Sequence, residues 1–240
     1  MLSPAEISRV LCVAAHPDDI DYGAAGTVAG LAGRGVAVSY CVITDGQAGE
    51  AAGAPREKVA ALRQREQRLA AHLVGVSDLT FLSYPDGALT PGLELRRELA
   101  GQIRRLRPHV VISHSPRRDL DRLIMSHPDH LAAGEATLCA VYPDARNGHA
   151  HPELAERGLR PWTVSEVWLV GDPDPNLFID VTDDYPAKLA AIRAHASQHD
   201  PARPAELLDQ MMRGMLGAQA RAAGYAAGRL AEAFRRVASG

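Results

Sequence analysis

The stretch AAHPDDIDYGAAG, residues 14–26, places one histidine and three aspartates within the six positions from His16 to Asp21. It directly follows VLCVA at 10–14, an apolar run that is typical of a buried strand. Charged groups are costly to bury without partners. Acids and a histidine at the end of a core strand therefore predict a functional site at that edge of the fold.

The composition is that of an ordinary globular protein. The chain has 240 residues, of which 46% are hydrophobic and 23% charged, and its net charge is −3. That charge does not favour nucleic-acid binding, and no apolar run approaches the roughly 18 residues of a membrane helix. The N-terminus lacks the basic and apolar regions of a signal peptide. Cys12, Cys41 and Cys139 show no CxxC spacing, so we predict a cytoplasmic protein without a cysteine-bound metal.

Short apolar runs alternate with segments of helical period, a pattern that favours a parallel sheet covered by helices. Strands are predicted near 9–15, 36–44, 78–84, 109–115 and 165–171, with an edge strand near 177–182. Helices are predicted at 23–34, 55–75, 91–107, 129–142, 183–199 and 203–237. With no linker or repeat, residues 1–240 are interpreted as one α/β domain with a Rossmann-like, mostly parallel sheet and helices on both faces. The irregular stretch 143–164 is expected to form a loop over the site.

Polar clusters follow four of the predicted strands. They lie at 16–19, 44–49, 85–87 and 115–130. Open α/β sheets bind ligands outside the carboxyl ends of their strands. These clusters are therefore expected to meet at one edge of the sheet.

One of these clusters, SHPDHL at 126–131, repeats the His-Pro-Asp pattern of the first. On a helix start His127 and His130 share a face, and Pro128 suits the first turn. Imidazole and carboxylate groups without thiolates fit a catalytic Zn²⁺ or Fe²⁺ site with open positions. A single HPD motif is equally compatible with a helix cap, but two of them after strands of one sheet favour a metal site.

The chain resembles the PIG-L (LmbE-like) family of metal-dependent de-N-acetylases. The resemblance runs through AHPDDIDYGAAGTVA, TDGQAG (44–49), LRQRE (62–66), FLSYPDGAL (81–89) and SHPDH (126–130). It continues in KLAAIRAHASQ (188–198) and LAEAFR (230–235), and it covers nearly the whole chain. The pairing of AHPDD with HPDH is its specific part. The resemblance implies a Rossmann-like fold and the hydrolysis of acetamides, usually on amino sugars.

The family pattern assigns roles to individual residues. It implies that His16, Asp19 and His130 bind the metal, which is Zn²⁺, or Fe²⁺ or another divalent ion in vivo. Asp129 would hydrogen-bond a site histidine and fix its tautomer.

The catalytic and substrate positions follow from the same pattern. Asp18 would be the general base that activates water, and His127 would either stabilise the oxyanion or protonate the leaving amine. Arg63, Asp86 and His195 match substrate-contacting positions, although a packed structural role for His195 stays open.

The chain departs from one branch of the family. Deacetylases of thiol-cofactor pathways carry a tyrosine two residues before the HPDH histidine, where this chain has Met125. The contact that this tyrosine supplies must come from elsewhere. The charged segment 115–125 includes Arg117 and Arg118, which would suit an anionic substrate or a solvated surface.

We therefore predict removal of an N-acetyl or small N-acyl group from an amino sugar or sugar-containing small molecule. One alternative is an amidase that acts on a non-sugar N-acyl compound or a thiol conjugate. Another is a non-catalytic Rossmann-like nucleotide-binding protein, which Asp45 would favour but the GxxGxxxG spacing from Gly23 does not. The expected partner is a small molecule rather than nucleic acid or membrane. The stretch MMRGML (211–216) is compatible with a homo-oligomer.

Overall fold

The strands form one sheet in the computed structural model, which describes residues 2–49, 55–123 and 126–240. They are β1 (Arg9–Ala14), β2 (Ala37–Thr44), β3 (Asp78–Tyr84), β4 (Val110–His114), β5 (Glu166–Val170), β6 (Leu177–Asp180) and β7 (Ala231–Ala238). Their order is β3-β2-β1-β4-β5-β7-β6. Strands β1 to β5 pair in parallel, while β7 is antiparallel to both β5 and β6. The predicted mostly parallel α/β sheet, with β6 at its edge, is confirmed.

Helices cover both faces of this sheet. They are α1 (Asp19–Gly33), α2 (Arg56–Leu73), α3 (Leu93–Leu106), α4 (Pro128–Cys139), α5 (Pro152–Glu156), α6 (Tyr185–Arg193) and α7 (Ala205–Ala222). The described residues also contain short 3₁₀ turns at Pro4–Glu6 and Ala196–Gln198 and an irregular turn at Ala140–Ala145. Across the described residues, no helix combines the length and the apolar character needed to cross a membrane.

The central strand β1 contributes to a hydrophobic core on each face. Leu11 and Val13 pack with residues of α3 and α4, whereas Val10 and Cys12 pack with residues of α1 and α2. Successive side chains of a strand point to opposite faces, so a strand buried on both faces is apolar throughout. This explains the continuous VLCVA run in the sequence.

The strand order reverses direction beside β1. The chain adds β2 and β3 on one side of β1, and it then returns to add β4 on the other side. The loops that leave β1 and β4 consequently diverge and open a crevice at their carboxyl ends, where ligands of such sheets bind. The HPDD motif follows β1, and His114 is the last residue of β4.

The glycines of α1 allow close packing. A Cβ at Gly26 would lie 2.7 Å from Cβ of Val181, and one at Gly30 would lie 2.7 Å from an Asp184 carboxylate oxygen. The GxxGxxxG spacing therefore serves helix packing, which does not support the nucleotide-binding alternative.

The predicted helix over 203–237 is wrong in its second half. Helix α7 ends at Ala222, and the chain then takes left-handed turns at Gly224 (φ 77°) and Gly228 (φ 85°) before it enters β7. Leu230 and Phe234 are four residues apart, which suits a helix, but pairing with β5 and β6 overrides this local pattern. The predicted helix over 183–199 is also shorter, because α6 ends at Arg193.

The stretch 143–164 does not lie over the site. The Arg104 guanidinium donates to the carbonyls of Ala145, Asn147 and Ala150, and Trp162 Nε1 donates to the Pro108 carbonyl. Pro108 precedes β4, so this segment covers the amino ends of the strands. The expectation of a loop over the site is corrected accordingly.

Candidate active site

The side chains of the adjacent residues Asp18 and Asp19, which follow β1, point in different directions. Asp18 has φ 95°, a left-handed conformation that non-glycine residues rarely adopt, and it immediately precedes α1. The Asp18 carboxylate faces Arg63, at 3.1 Å, while the Asp19 carboxylate faces His130 and His114. The turn thus gives neighbouring carboxylates different partners.

Asp19 lies between two histidines of the predicted metal set. Its Oδ1 is 3.0 Å from His130 Nε2, and its Oδ2 is 3.3 Å from His16 Nδ1. Ligands about 2.0–2.1 Å from a tetrahedral ion stand about 3.3 Å apart. Each imidazole is therefore paired with a different oxygen of Asp19 at about the spacing of two ligands of one cation, and His130 is the residue that the candidate metal groups of His16 and of Asp19 share.

His16 meets two further carboxylates on the opposite side of its ring. Its Nε2 lies 3.1 Å from Asp129 Oδ2 and 3.2 Å from Asp86 Oδ1. Burial alone would lower the pKa of His16, but hydrogen bonds to Asp19 and Asp86 outweigh it and raise the pKa to about 11. At this pKa both ring nitrogens of the metal-free protein carry a proton, and because two carboxylates hold the proton on Nε2, the Nδ1 proton is the one that a metal would replace.

Asp129 is fully buried and ties α4 to the loop after β3. Its Oδ2 accepts a hydrogen bond from Gly87 N at 2.7 Å, and its Oδ1 accepts one from Leu89 N at 3.1 Å. The same carboxylate therefore orients His16 and holds the loop that carries Asp86.

His127 caps the N-terminus of α4. Its Nδ1 accepts a hydrogen bond from Asp129 N at 3.2 Å, so the proton of the neutral ring resides on Nε2. Burial, and then the charges of His16 and His130, lower the pKa of His127. A neutral imidazole with Nε2–H suits hydrogen-bond donation to an oxyanion better than protonation of an amine.

Asp18 has the properties of a general base. Burial and the nearby Asp19 charge raise its pKa to about 6, against the opposing effect of Arg63. In the described part of the chain, the hydrogen bond of its carboxylate reaches Oδ2, which leaves Oδ1 to accept a proton. A base with a pKa close to neutrality is the kind that works near pH 7.

The buried Arg63 side chain links the loop that follows β1 to the loop that follows β2. Its guanidinium donates to Pro17 O at 2.6 Å and Gly46 O at 3.0 Å, in addition to Asp18. The side chain is only 4% exposed. A direct substrate contact by Arg63 stays a prediction, and its observed contacts are with the protein.

His195 does not line the site. The residue has no exposed surface, and its Nε2 lies 2.8 Å from Asp21 Oδ2. A side chain enclosed on all sides cannot contact a substrate, so its assignment to substrate binding is corrected. The packed structural role that the sequence left open describes its position.

His114 also belongs to this cluster, although it was not predicted from the sequence. Its Nε2 lies 3.2 Å from Asp19 Oδ2, and its ring stacks on that of His130 at 4.1 Å between centroids. Burial, followed by the charge of His130, lowers the pKa of His114. In the sequence, His114 could have been recognised by its position at the carboxyl end of the fourth predicted strand, because the other polar clusters lie at the same edge of the sheet.

The donor set fits a divalent cation. Among the described residues, three overlapping groups place one donor atom from each member within 4.8 Å of the others. They are His16–His127–His130, Asp19–His114–His130 and His16–Asp86–Asp129. Nitrogen and carboxylate donors are those that zinc and iron accept in catalytic sites.

Residues 115–123 of the charged segment follow β4 and lead toward the site. Asp172 accepts hydrogen bonds from Ser115 Oγ at 2.7 Å and Arg117 at 3.0 Å, and Arg118 donates to Ser126 O at 3.3 Å. Met125, where the family branch has tyrosine, lies outside the described residues. The role of this segment in specificity stays a prediction.

A groove opens beside the site between α1, α2 and α7. Its lining includes Tyr22, Leu62, Ser197, Leu207 and Met211. Burial, followed by the Asp18 and Asp21 charges, raises the pKa of Tyr22 to about 12. Tyr22 N donates to the Asp18 carbonyl at 3.1 Å, so this end of the groove lies one helical turn from Asp18.

The fold and site define a class of protein: Rossmann-like α/β proteins with a His/Asp cluster at the strand ends. Residues 11–141 match the family model described as PIG-L, GlcNAc-PI de-N-acetylase. Diacetylchitobiose deacetylase of Thermococcus kodakarensis is 33% identical over 80% of this chain and 71% of its own length. The probable N-acetyl-alpha-D-glucosaminyl L-malate deacetylase 2 of Bacillus anthracis is 35% identical over 79% and 81%.

A solved structure agrees with these matches. N,N'-diacetylchitobiose deacetylase from Pyrococcus horikoshii superposes with a TM-score of 0.88 at 30% identity, covering 98% of this chain and 85% of that one. The chain belongs to the PIG-L family of de-N-acetylases.

Proposed function

We propose that this chain is a metal-dependent hydrolase that removes the N-acetyl group from an N-acetylated amino sugar in the cytoplasm. The whole chain would act as one catalytic domain. The relatives that match over most of its length are named as deacetylases of such compounds. The observation that carries the proposal is the pairing of an available Asp18 carboxylate with a separate His16–Asp19–His130 donor set.

Zn²⁺, or Fe²⁺ in its place, would be held by His16, Asp19 and His130. Asp129 and Asp86 would hold the proton on His16 Nε2, so that Nδ1 faces the ion. When bound, a divalent cation polarises the acetyl carbonyl and lowers the pKa of water.

The protein's own groups account for the proton transfers. Asp18 Oδ1 takes a proton from the attacking water as the water oxygen bonds to the carbonyl carbon. His127 Nε2–H donates a hydrogen bond to the carbonyl oxygen, which becomes the oxyanion. Asp18 then returns the proton to the departing nitrogen as the C–N bond breaks, giving a free amine and acetic acid, which ionises to acetate.

The groove beside Asp18 would take the part of the substrate that lies beyond the acetamide. Its lining joins apolar side chains, including Leu207 (48% exposed) and Met211 (56% exposed), to polar ones such as Ser197. An N-acetylglucosaminide with an apolar substituent would fill it better than the free sugar. This would lower KM through apolar burial.

The test is an amine-release screen of zinc-loaded enzyme. It compares free N-acetylglucosamine, N-acetylglucosaminides with polar or apolar substituents, N-acetylated amino acids and acylated thiol conjugates, each with and without a chelator. We expect chelator-sensitive release from the sugars, with the lowest KM for the apolar glycosides.

Other outcomes would overturn the proposal. Release confined to the amino acids or thiol conjugates would establish the amidase alternative. No release from any compound, together with tight nucleotide binding and no bound metal, would establish the nucleotide-binding alternative.

A further inference from the structure

Helix α2 contacts Asp18 at two points, one helical turn apart. Arg63 donates to the Asp18 carboxylate and to the carbonyl of Pro17. Gln67 Oε1 accepts a hydrogen bond from Asp18 N at 2.8 Å. One helix therefore holds both the side chain and the backbone of this residue.

The side-chain amide of Gln67 is itself oriented by a buried network. Its Nε2 donates to Asp21 Oδ2 at 2.8 Å, and the same oxygen lies 2.8 Å from His195 Nε2. Gln67, Asp21 and His195 have no exposed surface. Because a carboxylate only accepts hydrogen bonds, Asp21 fixes the NH₂ group of Gln67 and thereby directs its oxygen toward Asp18.

From this arrangement we infer that Gln67 is a positioning residue for Asp18, kept in its orientation by Asp21 and His195. The inference rests on the proposed function, in which Asp18 accepts a proton. Gln67, Asp21 and His195 take no direct part in that reaction, because none of the three side chains is exposed to a substrate.

The Gln67 hydrogen bond helps to hold Asp18 in a strained backbone conformation. With φ 95°, Asp18 occupies a conformation that persists only when its surroundings impose it. Relaxation of this residue would rotate its carboxylate away from its present direction, while Asp19 would remain held by His130 and His16. A misplacement of about 1 Å of a reacting group can cost on the order of 10²-fold in rate.

The test begins with Gln67→Met, which keeps the approximate volume and removes both amide hydrogen bonds. We expect kcat to fall about 10²-fold, with KM and bound zinc within about twofold of wild type. Amide exchange of Asp18 N–H, followed by NMR without substrate, should accelerate at least about tenfold.

A second pair of variants tests whether kcat is restored when the amide and the carboxylate of the network exchange places. Gln67→Glu keeps the acceptor for Asp18 N–H but places a carboxylate against Asp21, so kcat should also fall. Adding Asp21→Asn restores a donor opposite the new carboxylate, and His195 can change tautomer to accept from the amide. The double variant should recover most of the kcat that Gln67→Glu loses.

The control is Arg104→Met, which also removes buried hydrogen bonds but at the amino ends of the strands. It should lower Tm and leave kcat and Asp18 exchange at wild-type values. Wild-type kcat and Asp18 exchange in Gln67→Met would overturn the inference, as would a loss of kcat that only follows a loss of zinc. An inactive wild type would instead refute the proposed function, and the exchange measurement would still test the network.

Discussion

At the residue scale, Asp18 and Asp19 differ in ionisation although they are neighbours. Burial and the Asp19 charge raise the pKa of Asp18 to about 6. Burial acts on Asp19 in the same direction, but His130 and His114 outweigh it and lower the pKa of Asp19 well below its usual value. One carboxylate is therefore suited to take a proton and the other to stay ionised beside a cation.

The substitution Asp18→Asn tests this division. The amide is nearly isosteric, so Asp19 and the histidines should keep their places and bound metal should stay near wild type. Because an amide cannot accept the proton, kcat should fall about 10²- to 10⁴-fold with little change in KM. Metal content and turnover are measured on the same preparation.

Asp78→Asn, at the start of β3 away from the site, serves as the control and should retain full activity. If Asp18→Asn loses its metal, Asp18 is the metal ligand and Asp19 is the general base. Full activity with full metal would place the base elsewhere, with His127 the next candidate.

At the element scale, the site depends on how closely α4 approaches the end of β4. A Cβ at Gly134 would lie 2.5 Å from His114 O, 2.9 Å from Pro116 N and 3.0 Å from Ser115 C. All three are backbone atoms, so they cannot move aside as a flexible side chain would. This contact sets the position of His130 on α4 relative to His114 on β4. The sequence shows the HPDH motif but not this contact, which arises only when the two elements pack.

Gly134→Ala should therefore displace α4. We expect a loss of about 1–3 kcal/mol in the free energy of unfolding, typical of overpacking. Zinc affinity should fall as well, because His130 would move relative to Asp19. Chemical denaturation and a competitive zinc titration measure the two effects.

Gly214→Ala is the matched control, because α7 has nothing within 4 Å of that Cβ position. It should stabilise the protein by about 0.5–1 kcal/mol without changing zinc affinity. Wild-type stability and zinc affinity in Gly134→Ala would show that α4 is not held at this distance.

At the scale of the whole molecule, residues from the C-terminal part of the chain support the helix that follows the HPDD motif. Glu232 in β7 accepts hydrogen bonds from Gly26 N and Thr27 N of α1, and it pairs with buried Lys188 at 2.7 Å. Lys188 also donates to the carbonyls of Asp21 and Tyr22. The helix that begins with Asp19 is thus fixed by residues more than 160 positions later in the sequence.

The sequence predicted the parallel strands and the edge at which the site lies, because both follow from local apolar runs and the polar residues after them. It did not predict β7, whose local spacing also suits a helix and whose strand form depends on β5 and β6. His195 was misassigned for a related reason, since its partner Asp21 lies 174 positions away. Local patterns find elements and motifs, whereas long-range pairing decides which side chains are buried.

Zinc titration of metal-free enzyme measures whether deacetylation requires a bound ion and how many ions it requires. Amine release from the best N-acetylated sugar is measured at increasing ratios of zinc to enzyme. We expect almost no release without zinc, a linear rise, and a plateau at about one equivalent, because one donor set binds one ion. His16→Ala, Asp19→Ala and His130→Ala should each fail to reach that plateau. Release that is undiminished in chelator-treated enzyme and unchanged by added zinc would contradict a metal-dependent mechanism.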